Sequence, residues 1–198
     1  MSAASQLISA CESGDIQTVT RLVSLGTDVN GENRYGETGL HIAMRHSYLP
    51  IVTYLLDSDN IKLGKCNSYS ETPLHYGCYK NSYASVKLFL AHPSCTVDII
   101  NKRDYAGDTA VMGAAMLGHT ELVKLLTPHS DISIKNYSVK TVIDIARIGG
   151  HQDIVNYLAR FVKDKEVGAS NRFLRISFNV LSEYNYVLAV TCQLTTFL

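Results

Sequence analysis

His75 and Cys78 stand three residues apart, which puts both on one face of a helix and could present a thiol nucleophile beside its general base. The same spacing has a plainer meaning: Cys78 is a small core filler and His75 belongs to a repeated structural motif. The plainer meaning is preferred because of what the rest of the chain shows. Metal chemistry has less to stand on. Seven histidines (41, 46, 75, 92, 119, 129 and 151) and five cysteines (11, 66, 78, 95 and 192) are scattered, with no HExxH and no paired CxxC. Neither GxxxxGK[ST] nor GxGxxG offers a phosphate cradle. The expectation is no enzyme, no cofactor and no metal.

The chain has 198 residues, 46% apolar and 18% charged, enough for a real core and too little charge for a disordered chain. Lysine plus arginine (18) balance aspartate plus glutamate (18), which argues against a phosphate-backbone binder, although such a balance can hide one basic face. No nucleic-acid partner is expected. An odd cysteine count, and a start (MSAASQLISACESGD) with neither a basic nor an apolar leader region, point to reduced thiols in the cytoplasm and/or nucleus. Asn136-Tyr137-Ser138 matches a glycosylation sequon by chance on that view. No apolar run reaches the roughly 18 residues of a membrane span, so no membrane contact is expected.

What positions His75 and Cys78 is a repeat. SETPLHYGC (70–78) has relatives in GETGLHIAM (36–44), GDTAVMGAA (107–115) and VKTVIDIAR (139–147). Thr38, Thr72, Thr109 and Thr141 lie at intervals of 34, 37 and 32. Nine residues after each threonine stands a turn position (Ser47, Asn81, Gly118, Gly150), and five further on a valine (Val52, Val86, Val123, Val155). A degenerate first copy has Ser5, Gly14 and Val19 in those places. The threonines suit helix N-caps, Pro73 suits the first helical position, and the turn column suits left-handed dihedrals. Small residues five after the cap (Ala10, Ala43, Gly77, Ala114, Ala146) allow close helix approach. A second helix then carries an apolar stripe, from Val19/Leu22 through Val52/Leu55, Val86/Phe89 and Val123/Leu126 to Val155/Leu158. Neither helix buries its face alone; stacked copies do.

Thr72-Pro73-Leu74-His75, Gly118-His119 with Val123, Gly150-His151 with Val155, and Gly26-Thr27-Asp28-Val29-Asn30 together resemble the ankyrin-repeat family. The resemblance covers residues 2–161, as repeats at 2–33, 34–67, 68–104, 105–136 and 137–161, the first and fifth acting as caps. It implies an all-α solenoid of about five helix-turn-helix repeats with hairpin fingers. Met112 and Asp144 replace the motif histidine. The bonding the family makes through that imidazole is therefore expected to be missing from both copies, which should be locally less rigid.

The resemblance further implies a non-catalytic, monomeric adaptor that binds a partner protein through its concave face and hairpin tips. The alternative is a regulatory subunit, inhibitory or recruiting, of an enzyme complex. Tyr35, Tyr69, Tyr105 and Tyr137 fall in the expected tips, two of them three residues before the cap threonine and two of them four, with Arg34 and Arg103 beside them for carboxylates. Tyrosine offers a large apolar face and a hydroxyl at small entropic cost, so these six are the candidate partner-binding residues. The same tyrosines could instead lie along the neighbouring repeat. The 37-residue interval, through HPSCTVDIINKRD (92–104), is expected to lengthen one finger on the functional side. Asn30, within Leu22…Asp28-Val29-Asn30, matches asparagines hydroxylated in some members of the family; its simpler role is bonding the turn.

Beyond Phe161 the pattern stops. Residues 162–198 are read as a polar linker and then a tail alternating at period two (Ile176, Phe178, Val180; Tyr184 to Leu194). A hairpin on the last repeat and a terminus without settled structure both fit.

Overall fold

A computed structural model describes residues 2–164 of the chain. Residues 162–164, expected as the start of a linker, continue the last helix, and the remaining expectations for the tail lie outside the described residues. Among the described residues one compact unit runs to Asn156 and a second begins at Tyr157. The helices in order are α1 (Ala3–Ser13), α2 (Ile16–Ser24), α3 (Gly39–His46), α4 (Leu49–Leu56), α5 (Pro73–Tyr79), α6 (Tyr83–Ala91), α7 (Val97–Ile100), α8 (Ala110–Met116), α9 (Thr120–Leu126), α10 (Val142–Ile148) and α11 over residues 152–164. In the first unit, α1, α3, α5, α8 and α10 stack each on the next as an inner layer, and α2, α4, α6 and α9 form an outer one. The all-α repeat array expected from the sequence is what the chain forms. None of the described helices is long and apolar enough to cross a membrane.

Four of the five inner helices start where a threonine leaves extended geometry: Thr38, Thr72, Thr109 and Thr141 are the N-caps of α3, α5, α8 and α10. The first copy departs from the expected register, since Ser2 caps α1 and Ser5 lies within that helix. Each inner helix ends where the backbone turns left-handed, at Gly14 (φ 73), Ser47 (φ 57), Asn81 (φ 55), Gly118 (φ 75) and Gly150 (φ 78). The valine stripe of the outer helices is buried throughout, and Phe89 and Leu122 are fully enclosed beside it.

Two histidines tie the repeats together. His41 Nδ1 accepts from the Thr38 amide at 3.1 Å and sits 2.9 Å from the Thr38 hydroxyl; its Nε2 meets the Glu71 carbonyl of the next copy at 3.1 Å. His75 repeats this with Thr72 (3.1 and 2.9 Å) and the Asp108 carbonyl (3.3 Å). These bonds assign the neutral tautomer with the proton on Nε2. Lower down, His119 and His151 reach back to the Tyr79 and Met116 carbonyls at 3.4 and 3.0 Å.

The imidazole bonding is missing from both copies without the motif histidine, as expected, but the two copies differ in what replaces it. Asp144 takes the imidazole's place inside its own copy: its Oδ2 accepts from the Thr141 amide (3.0 Å) and hydroxyl (2.8 Å). These bonds hold the Asp144 carboxyl below the usual carboxylate range. Met112 offers nothing, and Thr109 Oγ1 is buried without a partner among the described residues. Met112→His is therefore expected to stabilise the array. The new ring would face Thr109 on one side and, by equivalence with Glu71 and Asp108, the Lys140 carbonyl on the other. Satisfying a buried hydroxyl is worth about 1–2 kcal/mol, or a rise in Tm of roughly 2–8 °C. Thermal unfolding checks this, and an unchanged or lower Tm would show that the ring does not fit.

A candidate protein-binding surface of fingertips and palm

Each finger is built on one short polar side chain whose part in the turn was not read from the sequence, Asn136 having been noted only as a chance sequon. Asn33 Oδ1 accepts from the Tyr35 and Glu37 amides at 2.9 and 3.0 Å. Asn67 does the same for Tyr69 and Glu71 (2.8 and 3.0 Å), Asp104 for Ala106 and Asp108 (2.8 and 2.9 Å), and Asn136 for Ser138 and Lys140 (3.0 and 2.9 Å). Asparagine and aspartate suit such turns because a short side chain can mimic a backbone acceptor. The signal was present: this column recurs at the threonine intervals. The tip residue is left-handed in every finger, at Gly36, Ser70, Gly107 and Val139. At Gly107 a side chain is excluded twice, by φ 80 and because a Cβ would lie 2.7 Å from the Tyr137 nitrogen.

Neighbouring tips are joined through the main chain. Ser68 donates to the Tyr35 carbonyl (2.8 Å), Tyr105 to that of Tyr69 (3.0 Å) and Tyr137 to that of Ala106 (3.1 Å). Tyr35 and Tyr69 thus occupy the accepting place in their fingers, and Tyr105 and Tyr137 the donating one. The side chains remain open: Tyr35 is 46% exposed, Tyr69 59%, Tyr105 74% and Tyr137 68%. Arg34 lies over the Tyr35 ring at 4.7 Å and has no ion pair among the described residues. Arg103 is more committed. It lies 4.8 Å over Tyr137 while Nε donates to the Gly107 carbonyl (3.2 Å) and Nη2 to that of Lys135 (2.7 Å).

The long interval does not lengthen a finger, contrary to expectation. Asp104 to Thr109 is the same stretch as Asn33 to Thr38, and the extra residues form α7, capped by Thr96, on the way from α6 to the finger. Asn30 lies inside the loop layer, 6% exposed. Its Nδ2 donates to the Asn60 carbonyl at 2.9 Å and its Oδ1 accepts from the Lys62 amide at 2.8 Å, so its bonds reach the next copy. Both must open before that amide can be modified. Asn101 holds the Asp131 amide in the same way at 2.9 Å. His75 has both ring nitrogens occupied, and burial pushes the Cys78 thiol up. The pair is not set up as nucleophile and base. Among the described residues no group of three or more His, Cys, Asp or Glu could hold a metal ion.

Below the tips lies a palm, where the last turn of each inner helix meets the base of its finger. Its rows are the residue before each cap threonine (Glu37, Glu71, Asp108, Lys140) and the residue seven after it (Arg45, Tyr79, Met116, Ile148). In the second repeat these close on each other: Arg45 Nη1 meets Glu37 Oε1 at 2.9 Å, and Tyr76 donates to the same oxygen at 2.7 Å. Burial alone would raise the Glu37 carboxyl. The bonds from Asn33 and Tyr76 and the Arg45 charge outweigh that and hold it below its ordinary value. In the third and fourth repeats the arginine's place holds Tyr79 and Met116. Tyr79 lies against Gly113, where a Cβ would sit 2.3 Å from its Cε1, and its hydroxyl donates to Asp104 at 3.1 Å. The hydroxyl is pushed up by burial and by the charges of Asp104, Glu71 and Asp108. Burial also raises the Asp108 carboxyl, against a bond from Asn136 and with help from Asp104. Met116 and Ile148 are 45% and 59% exposed.

Stacked helix pairs, threonine caps and linked fingers define a helical repeat array with an outward row of tips. The chain belongs to the ankyrin-repeat family: a family profile described as "Ankyrin repeats (3 copies)" matches residues 7–102 and 94–170. An ankyrin repeat protein of Rickettsia bellii is 25% identical over 125 residues, 63% of this chain and 67% of that one. Phosphocholine transferase AnkX of Legionella pneumophila is 34% identical over 74 residues, 37% of this chain and 8% of its own. The NAD-capped RNA hydrolase of Homo sapiens is 36% identical over 89 residues, 44% of this chain and 19% of its own. The chain thus matches only a small part of either enzyme. Ankyrin repeats generally mediate protein–protein interaction.

Proposed function

We propose that the chain is a non-catalytic adaptor that grips a partner protein through its fingertips and palm. The observation that carries this is the tip ladder: four tyrosines, each at least 46% exposed, stand on fingers joined by main-chain hydrogen bonds. Aromatic side chains on a rigid backbone lose little entropy on contact, which favours them as binding anchors. Tyr69 and Tyr105 are the central pair, joined directly through their own main chains.

The test is Tyr69→Ala and Tyr105→Ala, measured against a partner captured by affinity purification and then purified. Each substitution is expected to weaken binding by about 2 kcal/mol, roughly 30-fold, if the side chain is a hot spot. Tm should move little, because these side chains lie outside the stacked core. Early unfolding of both variants would make the tyrosines structural; normal binding by both would move the surface elsewhere.

A further inference from the structure

The palm of the second repeat binds a guanidinium, and that guanidinium is its own. Glu37 stands before the cap threonine, Arg45 stands seven after it, and the two meet at 2.9 Å. The third and fourth repeats keep the carboxylate, as Glu71 and Asp108, and lose the arginine to Tyr79 and Met116. Glu71 uses Oε2 for the Asn67 amide (2.9 Å) and Asp108 uses Oδ1 for the Asn136 amide (2.7 Å). The second oxygen of each carboxylate has no hydrogen bond, and neither residue has an ion pair, among the described residues. Neutral neighbours thus hold both carboxylates in position, half-buried, with one oxygen still to be met. The fifth repeat reverses the charge, with Lys140 in the carboxylate's place, and the row seven after the cap turns apolar at Met116 and Ile148.

We propose that the third and fourth repeats take from a partner the cations that the second supplies from Arg45, so that the palm reads an extended segment with two basic side chains followed by an apolar one. This rests on the protein-binding reading and names the partner's chemistry. The inner helices of successive repeats are about 10 Å apart, and an extended chain advances about 3.3 Å per residue. The two basic residues therefore stand about three positions apart, and the apolar residue lies beyond the one on Asp108, over Met116 and Ile148. Arginine is the preferred form of the cation, since Arg45 in the second repeat shows a guanidinium meeting the one oxygen that the neighbouring amide leaves over.

The experiment selects random twelve-residue peptides displayed on phage against the full chain and measures the enriched peptides by fluorescence polarisation. Enriched peptides are expected to carry Arg or Lys at the stated spacing with a large apolar residue on one side. Glu71→Gln with Asp108→Asn, which keeps an acceptor for Asn67 and Asn136, should weaken them at least tenfold and flatten their salt dependence. Met116→Arg should block them too while leaving Tm unchanged or higher, because it gives Asp108 the internal partner that Arg45 gives Glu37. Enrichment of acidic or uncharged peptides, no enrichment, or basic peptides indifferent to these variants would each overturn the proposal. Peptides that lose affinity with Tyr69→Ala and Tyr105→Ala but not with the palm variants would sink it and leave the fingertip reading standing.

Discussion

Replacing His75 by alanine is expected to destabilise the protein by about 3–4 kcal/mol, a fall in Tm on the order of 10 °C. His75 and Thr72 are both fully buried, so water cannot take over the bonds that are lost. The Thr72 amide and hydroxyl lose Nδ1, and the Asp108 carbonyl loses Nε2. Leaving one such buried group unsatisfied costs about 1–3 kcal/mol, and the missing ring adds a cavity. The bond to Asp108 also runs between repeats, so its loss weakens the nearest-neighbour coupling that makes the array cooperative. His75→Met separates the contributions, because it copies what Met112 does in the next repeat. It refills the volume and restores none of the bonds, so it should cost roughly half as much. Equal Tm values for the two variants would show that the bonds contribute nothing and that only volume matters.

The fold was legible in the sequence wherever the chemistry is local. A threonine cap acts on amides two or three residues on, and a left-handed turn asks for glycine or asparagine at one place, so Thr72, Gly118 and Asn81 announce themselves. The use of Asp144 as a substitute for the imidazole was not legible, because a carboxylate in the histidine's place looks like the loss of a ring and not like a shorter acceptor for the same amide. The turn role of Asn33, Asn67, Asp104 and Asn136 was overlooked although these residues keep the threonine intervals, because a mixed column of Asn and Asp in a polar loop looks like turn composition. The 37-residue interval revealed an insertion without its place; Thr96 and α7 absorb it before the finger begins. The palm could not be read at all. Arg45 reaches Glu37 along the length of its own helix and Tyr79 reaches Asp104 at the base of the next finger, and only the folded structure sets those distances. The fingertip tyrosines were legible as positions, but their exposure and the capture of Arg103 by two carbonyls needed the structure.

Acidification is expected to remove stability before the carboxylates titrate. Burial, only partly offset by the bond to the Glu71 carbonyl and the nearby Glu37 charge, lowers His41 from its ordinary 6.5 to about 4, and burial lowers His75 in the same direction. The geometry explains why the neutral form is required: Nδ1 accepts from the threonine amide, and a proton there would turn an acceptor into a donor facing a donor. Because the folded value lies below the unfolded one, the unfolded chain takes up these protons first as pH falls. The contribution is complete above about pH 6.5 and is lost as pH drops toward 4; for His41 alone it amounts to about 3 kcal/mol. Glu37 and Asp144, held low by their bonds, lose their contributions only at more acidic pH, and Asp108, held high, works in the opposite sense. The slope between pH 6.5 and 5 therefore belongs mainly to the two histidines. Tm should fall steadily over that window in the native protein. In a His41→Met, His75→Met variant it should start lower and stay nearly flat, since no buried imidazole remains to be charged. Parallel profiles for the two proteins would mean that the acid sensitivity arises elsewhere and that the imidazoles tolerate their protons in place.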